Sequence, residues 1–247
     1  MKKNKLLLAG ISACLSFSAL ASSQVTVYYP GKSEKAIVSG AENIAQLVAS
    51  PALNGKTWWP GTIIAEKLAT ASAQQQYQQV MARLKAYAAA SDGDKAAAIN
   101  NVIQQLSAVN VTGRQIANLD PDWIRLRPGA NRRLSGEYSV YTLQPPTSVT
   151  LFGAIEGAGK ISWQPGLDTR DYLSGHRRLD GGDRNIAVVI SPLGAVSEVP
   201  VAYWNHRHAE MEPGSILYIG FSSWSLPSEY EDLNQQIISV LTHRIPD

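Results

Sequence analysis

The chain repeats itself, and the repeat limits what it can fold into. Val25-Thr26-Val27-Tyr28, in a run that puts Val25, Val27 and Tyr29 on one face at period two, returns as Val149-Thr150-Leu151-Phe152. The strand pattern of Lys35 to Val38 returns as Gly159-Lys160-Ile161-Ser162-Trp163. Gly40 and the helix-spaced Ile44, Leu47 and Val48 return as Gly166 and the segment Asp168 to Leu173. The offset is 124 residues at Val25/Val149 and 126 at Gly40/Gly166. Each half therefore reads as two strands and a helix followed by more strands. Those are Trp123 to Leu126 and Tyr138 to Leu143 in the first half, and Ile186 to Ile190, Val199 to Trp204 and Ile216 to Ile219 in the second. Pro145-Pro146 marks the boundary between the halves.

Only the first half carries an insert. From Thr62 to Ser107 the chain turns to Ala and Gln with no Pro, and apolar positions recur at helical spacing. Ile64, Leu68, Ala71, Val80, Met81, Leu84, Tyr87 and Ala88 stripe a first arm, Ser91-Asp92-Gly93-Asp94 makes a turn, and Ile99, Val102, Ile103 and Leu106 line a second arm. A helical hairpin over about 62–107 follows. At the other end, Ser228-Glu229-Tyr230-Glu231 spells a capping box before a helix whose apolar face is Tyr230, Leu233, Ile237, Val240 and Leu241. It should run about 25 Å to Pro246. Its first turn is too polar for a bilayer, so its face should pack on its own domain or dock on a partner.

Lys2, Lys3 and Lys5 ahead of the apolar run Leu6 to Leu20, closed by Ala19-Leu20-Ala21, read as a secretory signal peptide cut after Ala21. A lipobox reading around Cys14 is disfavoured, because it would leave an apolar tail on the product. The mature chain then has no Cys, which excludes thiol chemistry and Cys-ligated zinc. Its 19 basic residues (22 less three in the leader) against 20 acidic ones give a net charge of about −1, which argues against a nucleic-acid binder. No later apolar run is long enough to span a bilayer. The expected layout is a signal peptide at 1–21, a first domain at 22–145, a second at 146–224 and a terminal helix at 225–247.

The run Val149 to Gly153, Gly166, Asp168 to Leu173, Val188-Val189-Ile190, Gly194 and Pro213-Gly214-Ser215-Ile216 resembles the β-grasp (SLBB-type) modules of outer-membrane polysaccharide export proteins such as Wza. Taken with the duplication, the inserted hairpin, Trp58-Trp59-Pro60-Gly61 before it, Val111-Thr112-Gly113-Arg114 after it and the terminal helix, the whole mature chain resembles the GfcC family of group 4 (O-antigen) capsule assembly. The resemblance implies an α+β protein of two β-grasp domains, working in the periplasm of a Gram-negative bacterium as a noncatalytic accessory of capsular polysaccharide assembly or export. Its partners would be the glycan or other capsule-assembly and export proteins, and a monomer is expected. The chain lacks a counterpart of the channel's N-terminal export domain, so an independent channel is not expected. Ser215 also stands where the module usually has Asp.

Arg114 matches a pocket arginine of the family. A guanidinium suits a carboxylate or sugar hydroxyls, although an Arg there could equally tie the hairpin to its domain. Trp58, Trp59 and Trp123 offer faces for sugar rings, against the alternative of core packing. His206, His208 and Glu210 alternate, as a metal half-site on a strand would, but lack further ligands. Gly153 to Lys160 misses the spacing of a phosphate loop, and Ile161 stands where Ser or Thr is needed. No metal and no cofactor are expected. The alternative function is a periplasmic polysaccharide lyase or hydrolase, which needs a carboxylate pair. Asp180 and Asp183 are candidates, but Gly181-Gly182 between them makes that segment a loop and nothing orients them.

Overall fold

The computed structural model describes residues 23–246; the leader at 1–21 and Cys14 lie outside the described residues. The first sheet contains β1 (Gln24–Tyr28), β2 (Lys35–Ser39), β3 (Ile63–Glu66), β4 (Arg114–Gln115) and β5 (Glu137–Tyr141), in the order β2-β1-β5-β3-β4. The second contains β6 (Ser148–Gly153), β7 (Gly159–Ser162), β8 (Ile186–Ile190), β9 (Val196–Pro200) and β10 (Ile216–Ile219), in the order β7-β6-β10-β8-β9. The orders are identical once matched strands are exchanged. In both sheets the first and last strands pair in parallel at the centre, and the other pairs are antiparallel. Among the described residues five α-helices complete an α+β architecture: α1 (Ile44–Val48), α2 (Lys67–Ala89), α3 (Gly93–Ser107), α4 (Pro121–Leu126) and α5 (Leu233–Thr242).

The hairpin of α2 and α3 joins β3 to β4. At the matching place in the second sheet, β8 and β9 are joined by a tight turn closed by Gly194 N–H to Ser191 O and Ser191 N–H to Ala195 O. Ile63 to Glu66, expected in the first helical arm, belong to β3. Ile63 and Ile64 are β-branched and bury on opposite faces of the sheet, which a strand allows and a one-sided helix does not. Leu68, counted in the helical stripe, is 82% exposed.

Three cores result. Val25, Val27, Ile44, Leu47, Ile64 and Val140 fill the first, between the first sheet and the short helices α1 and α4. Val149, Leu151, Ala187, Val189 and Leu217 fill another under the loops of the second domain. The largest joins the domains. Val80, Leu84, Tyr87, Ile99, Val102 and Leu106 of the hairpin pack on Phe152, Val188, Ile190, Ile216 and Tyr218 of the second sheet, with α5 alongside. The insert of the first domain thus covers the outer face of the second sheet.

That packing settles the terminal helix. Leu233, Ile237, Val240 and Leu241 are at most 1% exposed and Tyr230 is 9% exposed. Of the two alternatives, docking on a partner and packing on its own chain, the structure shows the second: the face is covered by the chain's own hairpin and sheet. The helix is also shorter than expected, spanning ten residues rather than the run from Ser228. Ser228–Tyr230 forms a 3₁₀ turn in which Ser228 makes no side-chain cap. Arg83 of α2 organises this segment instead: it donates to Asp232 Oδ1 at 2.8 Å and to the Glu229 carbonyl. The Tyr230 ring lies 4.6 Å from that of Tyr87.

A second correction concerns Trp123 to Leu126, a helix and not a strand. Asp120 accepts from Asp122 N–H and Trp123 N–H at 2.8 and 3.3 Å, and Pro121 occupies the first turn where its missing N–H costs nothing. Asp120→Ala is expected to cost about 1 kcal/mol, measured by denaturant unfolding; an unchanged midpoint would show that the cap is idle. Two smaller differences complete the comparison. The segment Asp168 to Leu173 holds only a 3₁₀ turn at Asp171–Leu173, and β9 ends at Pro200, so Ala202 to Trp204 lie in the loop that follows it.

Candidate functional site

One face of the first sheet is left partly open. β1 and β5 run in parallel register, so Gln24, Thr26 and Tyr28 stand beside Glu137, Ser139 and Tyr141 on the face away from the first core. Tyr28 and Tyr141 are direct neighbours, with rings stacked at 5.0 Å and 12°. Tyr28 is 37% exposed, unusual for a ring that its strand could have buried on the other face. The first turns of α2 form the side wall with Lys67, Thr70 and Gln74, and Thr112 adds a hydroxyl. The result is an open groove of about 460 Å³. Lys67 Nζ bridges to Glu137 Oε2 at 2.5 Å across it; both side chains are more than half exposed, so the pair contributes little to stability. Two π faces beside amide, hydroxyl and charged groups is a lining that can cover an apolar ring face and hydrogen-bond its rim.

None of the residues proposed from sequence lines this groove. Arg114 begins β4 and points to the junction of the domains, 5% exposed. Its guanidinium donates to the Pro192 carbonyl, in the turn that matches the hairpin's stem, and to Thr242 O at 3.4 Å at the end of α5. Nε has no partner. Burial, and then the charge of Arg244, push its pKa down to about 9. Gly113 precedes it for a steric reason: a Cβ there would lie 2.4 Å from Thr70 N and 2.5 Å from Glu66 O, where the chain passes α2. The Gly-Arg pair therefore fixes the base of the hairpin and ties the two sheets together. Trp59 packs against the first core, and Trp58 is half-buried, lying against Gly61. Trp123 is 40% exposed, with the Arg127 guanidinium 3.3 Å from the centre of its ring.

His206, His208 and Glu210 lie on a loop after β9 and gather around a buried carboxylate. His206 Nε2 and His208 Nδ1 contact Asp168 at 3.1 and 2.8 Å, and His208 Nε2 lies 3.3 Å from Glu210 Oε1. Backbone N–H groups of Arg170 and Ala209 also donate to Asp168. Burial opposes the charged form of Asp168, but the hydrogen bonds from Arg170, His206 and Ala209 together outweigh it and hold its pKa below the usual carboxylate value. Glu210, aided by Asp168, raises the pKa of His208. The clamp presents two rings that sequence reasoning passed over, Tyr203 at 91% and Trp204 at 76% exposure; Trp224 stands out elsewhere at 95%.

The pH dependence of this clamp follows from the two directions. His208, raised, contributes fully below its unfolded pKa of about 6.5 and loses that contribution as pH rises through the higher folded value. Asp168, lowered, contributes above about pH 4 and fails only as pH falls through its folded value. Amide exchange in residues 202–209 should therefore be slowest between about pH 4.5 and 6.5 and quicken, beyond its intrinsic trend, toward pH 8. A loop whose protection ignores pH, or whose response toward pH 8 survives in Asp168→Asn/Glu210→Gln, would contradict this.

Among the described residues no helix is long and apolar enough to cross a membrane. Two copies of a five-stranded mixed sheet with a central parallel pair, the first bearing a helical hairpin that roofs the second, define a duplicated β-grasp protein closed by a C-terminal helix. The chain belongs to the capsule biosynthesis GfcC family: the model of the family's N-terminal domain matches residues 21–145, and that of its C-terminal domain matches residues 157–246. It is also 46% identical over 230 residues, covering 93% of both chains, to the uncharacterized protein YjbG of Escherichia coli (strain K12). Membership gives the chain a role in capsule assembly.

Proposed function

We propose that the chain is a noncatalytic periplasmic accessory of capsular polysaccharide assembly or export, released from its leader after Ala21, and that the groove on the first sheet holds a short stretch of the glycan. The observation that carries this reading is the Tyr28–Tyr141 stack, exposed in a groove rimmed by Gln24, Ser139, Lys67 and Gln74. A pyranose presents an apolar C–H face to an aromatic ring and hydroxyls at its edge, and this lining answers both. The lining holds one carboxylate, Glu137, already bridged to Lys67. Glycoside hydrolysis uses two acids across one cleft, so this favours binding over the lyase or hydrolase alternative.

Calorimetric titration of the purified protein with capsule oligosaccharide, with backbone NMR shifts recorded alongside, tests the reading. Binding that perturbs Thr26, Tyr28, Ser139 and Tyr141 is expected. Absence of binding at millimolar oligosaccharide, or turnover of the glycan, would displace it. A second reading, docking on another capsule-assembly protein, draws on Tyr203 and Trp204, exposed on a loop pinned to Asp168. Capture of such a protein that disappears in Tyr203→Ser/Trp204→Ser would favour it.

A further inference from the structure

The N-terminal half of α3 faces a loop of the second domain across a cleft of about 470 Å³. The helix contributes Asp94 and Asn101, and the loop contributes Arg177, Arg178, Asp180 and Arg184. Three guanidiniums thus meet two carboxylates. Arg177 is committed to Glu156, which leaves the other two. Arg178 is half-buried and donates through Nε to Asp183 O at 3.1 Å; among the described residues neither Nη nitrogen has a partner. Arg184 is exposed, with no ion pair or hydrogen bond among the described residues. Burial lowers the pKa of Arg178; Asp183 opposes this and the charge of Arg184 adds to it, so two like charges are held close enough to feel each other.

The loop is rigid where it carries them. Leu179 N–H bonds to Ala154 O at 3.0 Å, Asp183 N–H to Gly220 O at 2.8 Å and Ser222 N–H to Gly181 O at 2.7 Å. A Cβ on Gly182 would lie 2.6 Å from Ala154 O, so the loop is pressed against the end of β6. The Nε bond fixes the plane of the Arg178 fork and leaves its outer edge open, a preorganised pair of donors.

We propose that this cleft is an anion site for an acidic sugar residue, its carboxylate or phosphate held by Arg178 and Arg184 and its hydroxyls by Asp94, Asp180 and Asn101. The proposal rests on the reading that the chain handles polysaccharide, and it places a second contact that shares no residue with the tyrosine groove. The two acids disfavour densely packed negative charge and suit carboxylates set one per sugar and flanked by hydroxyl donors.

The test is titration of the purified protein at low salt with trigalacturonate, with neutral maltotriose and with inorganic phosphate. Each is repeated on Arg178→Gln, Arg184→Gln, the double variant and Tyr28→Ala/Tyr141→Ala. Trigalacturonate should bind, weaken about tenfold with each Arg change and be lost in the double variant, while the tyrosine variant keeps it. Competition by phosphate would show that the anion itself is read; its failure to compete would narrow the site to carboxylates. The exposed Arg184→Gln, with thermal midpoints for all variants, separates lost binding from lost folding. Unchanged trigalacturonate binding in a folded double variant overturns the proposal, as does no binding of either anion at millimolar concentration. Trigalacturonate binding that needs the tyrosines but not the arginines sinks the cleft and leaves the groove standing; loss of maltotriose binding in the tyrosine variant alone speaks only to the groove.

Discussion

Cutting the chain before Pro227 should yield an aggregating protein, not a smaller monomer. Tyr230, Leu233, Ile237, Val240 and Leu241 are buried in the core that joins hairpin and second sheet. At about 2 kcal/mol for each large side chain, their removal costs about 10 kcal/mol, comparable with the whole stability of a domain. It also exposes Tyr87, Leu84, Phe152 and Tyr218 as a continuous apolar patch. The expected result in light scattering and hydrophobic-dye binding is an oligomeric, dye-binding species. Ile237→Ala, which leaves a cavity but no missing segment, should stay monomeric and lose about 3–4 kcal/mol in urea unfolding. A truncated chain that remains monomeric with its native midpoint would show that α5 is peripheral after all.

The second large effect concerns binding. Tyr28→Ala/Tyr141→Ala should weaken capsule oligosaccharide about tenfold or more, since each stacked ring is worth about 1 kcal/mol, while Tyr28→Phe/Tyr141→Phe retains most of the affinity. Both rings reach solvent, so the change in thermal midpoint should be small. Equal affinity for wild type and the double alanine variant would remove the groove from the binding surface. A phenylalanine pair as damaging as the alanine pair would shift the weight from ring faces to phenolic hydroxyls.

Most strands were legible because β-branched residues at period two leave little choice, and because the same pattern occurs twice; β3, continuous with the hairpin's first arm, and the two-residue β4 were not. The short helix α1 was legible too, but α4 was not. Trp-Ile-Arg-Leu has strand composition, yet the preceding Asp120-Pro121 supplies a cap and a preset φ, and local chemistry overrides the propensity of the four residues that follow. The opposite happened at Ser228, where a well-spelled capping box went unused because Arg83, 149 residues away from Asp232 in sequence, holds the segment in another shape. Two kinds of information were out of reach. The groove is assembled from β1, β5 and the start of α2, and its stacked tyrosines are neighbours only through a parallel register that no local window reveals. The role of Arg114 also depends on tertiary placement: the turn that receives it belongs to the other domain. The apolar stripe of the hairpin from Val80 onward and that of the terminal helix match the buried residues, but a stripe does not say that its partner is the other domain's sheet.

That arrangement bears on how the chain is made. Synthesis delivers the N-terminus first, so Val80, Leu84, Tyr87 and Ile99 emerge long before the surface they bury against, and the last piece of that surface to arrive is α5. The hairpin must wait as an exposed amphipathic arm, a stage at which chaperones that hold rather than fold would be needed. The closing contacts span about 150 residues, which makes final assembly slow relative to either sheet alone. Once closed, the second sheet cannot bare its outer face without displacing the first domain's hairpin, so a duplicated chain that might have behaved as two beads on a string is coupled at that joint.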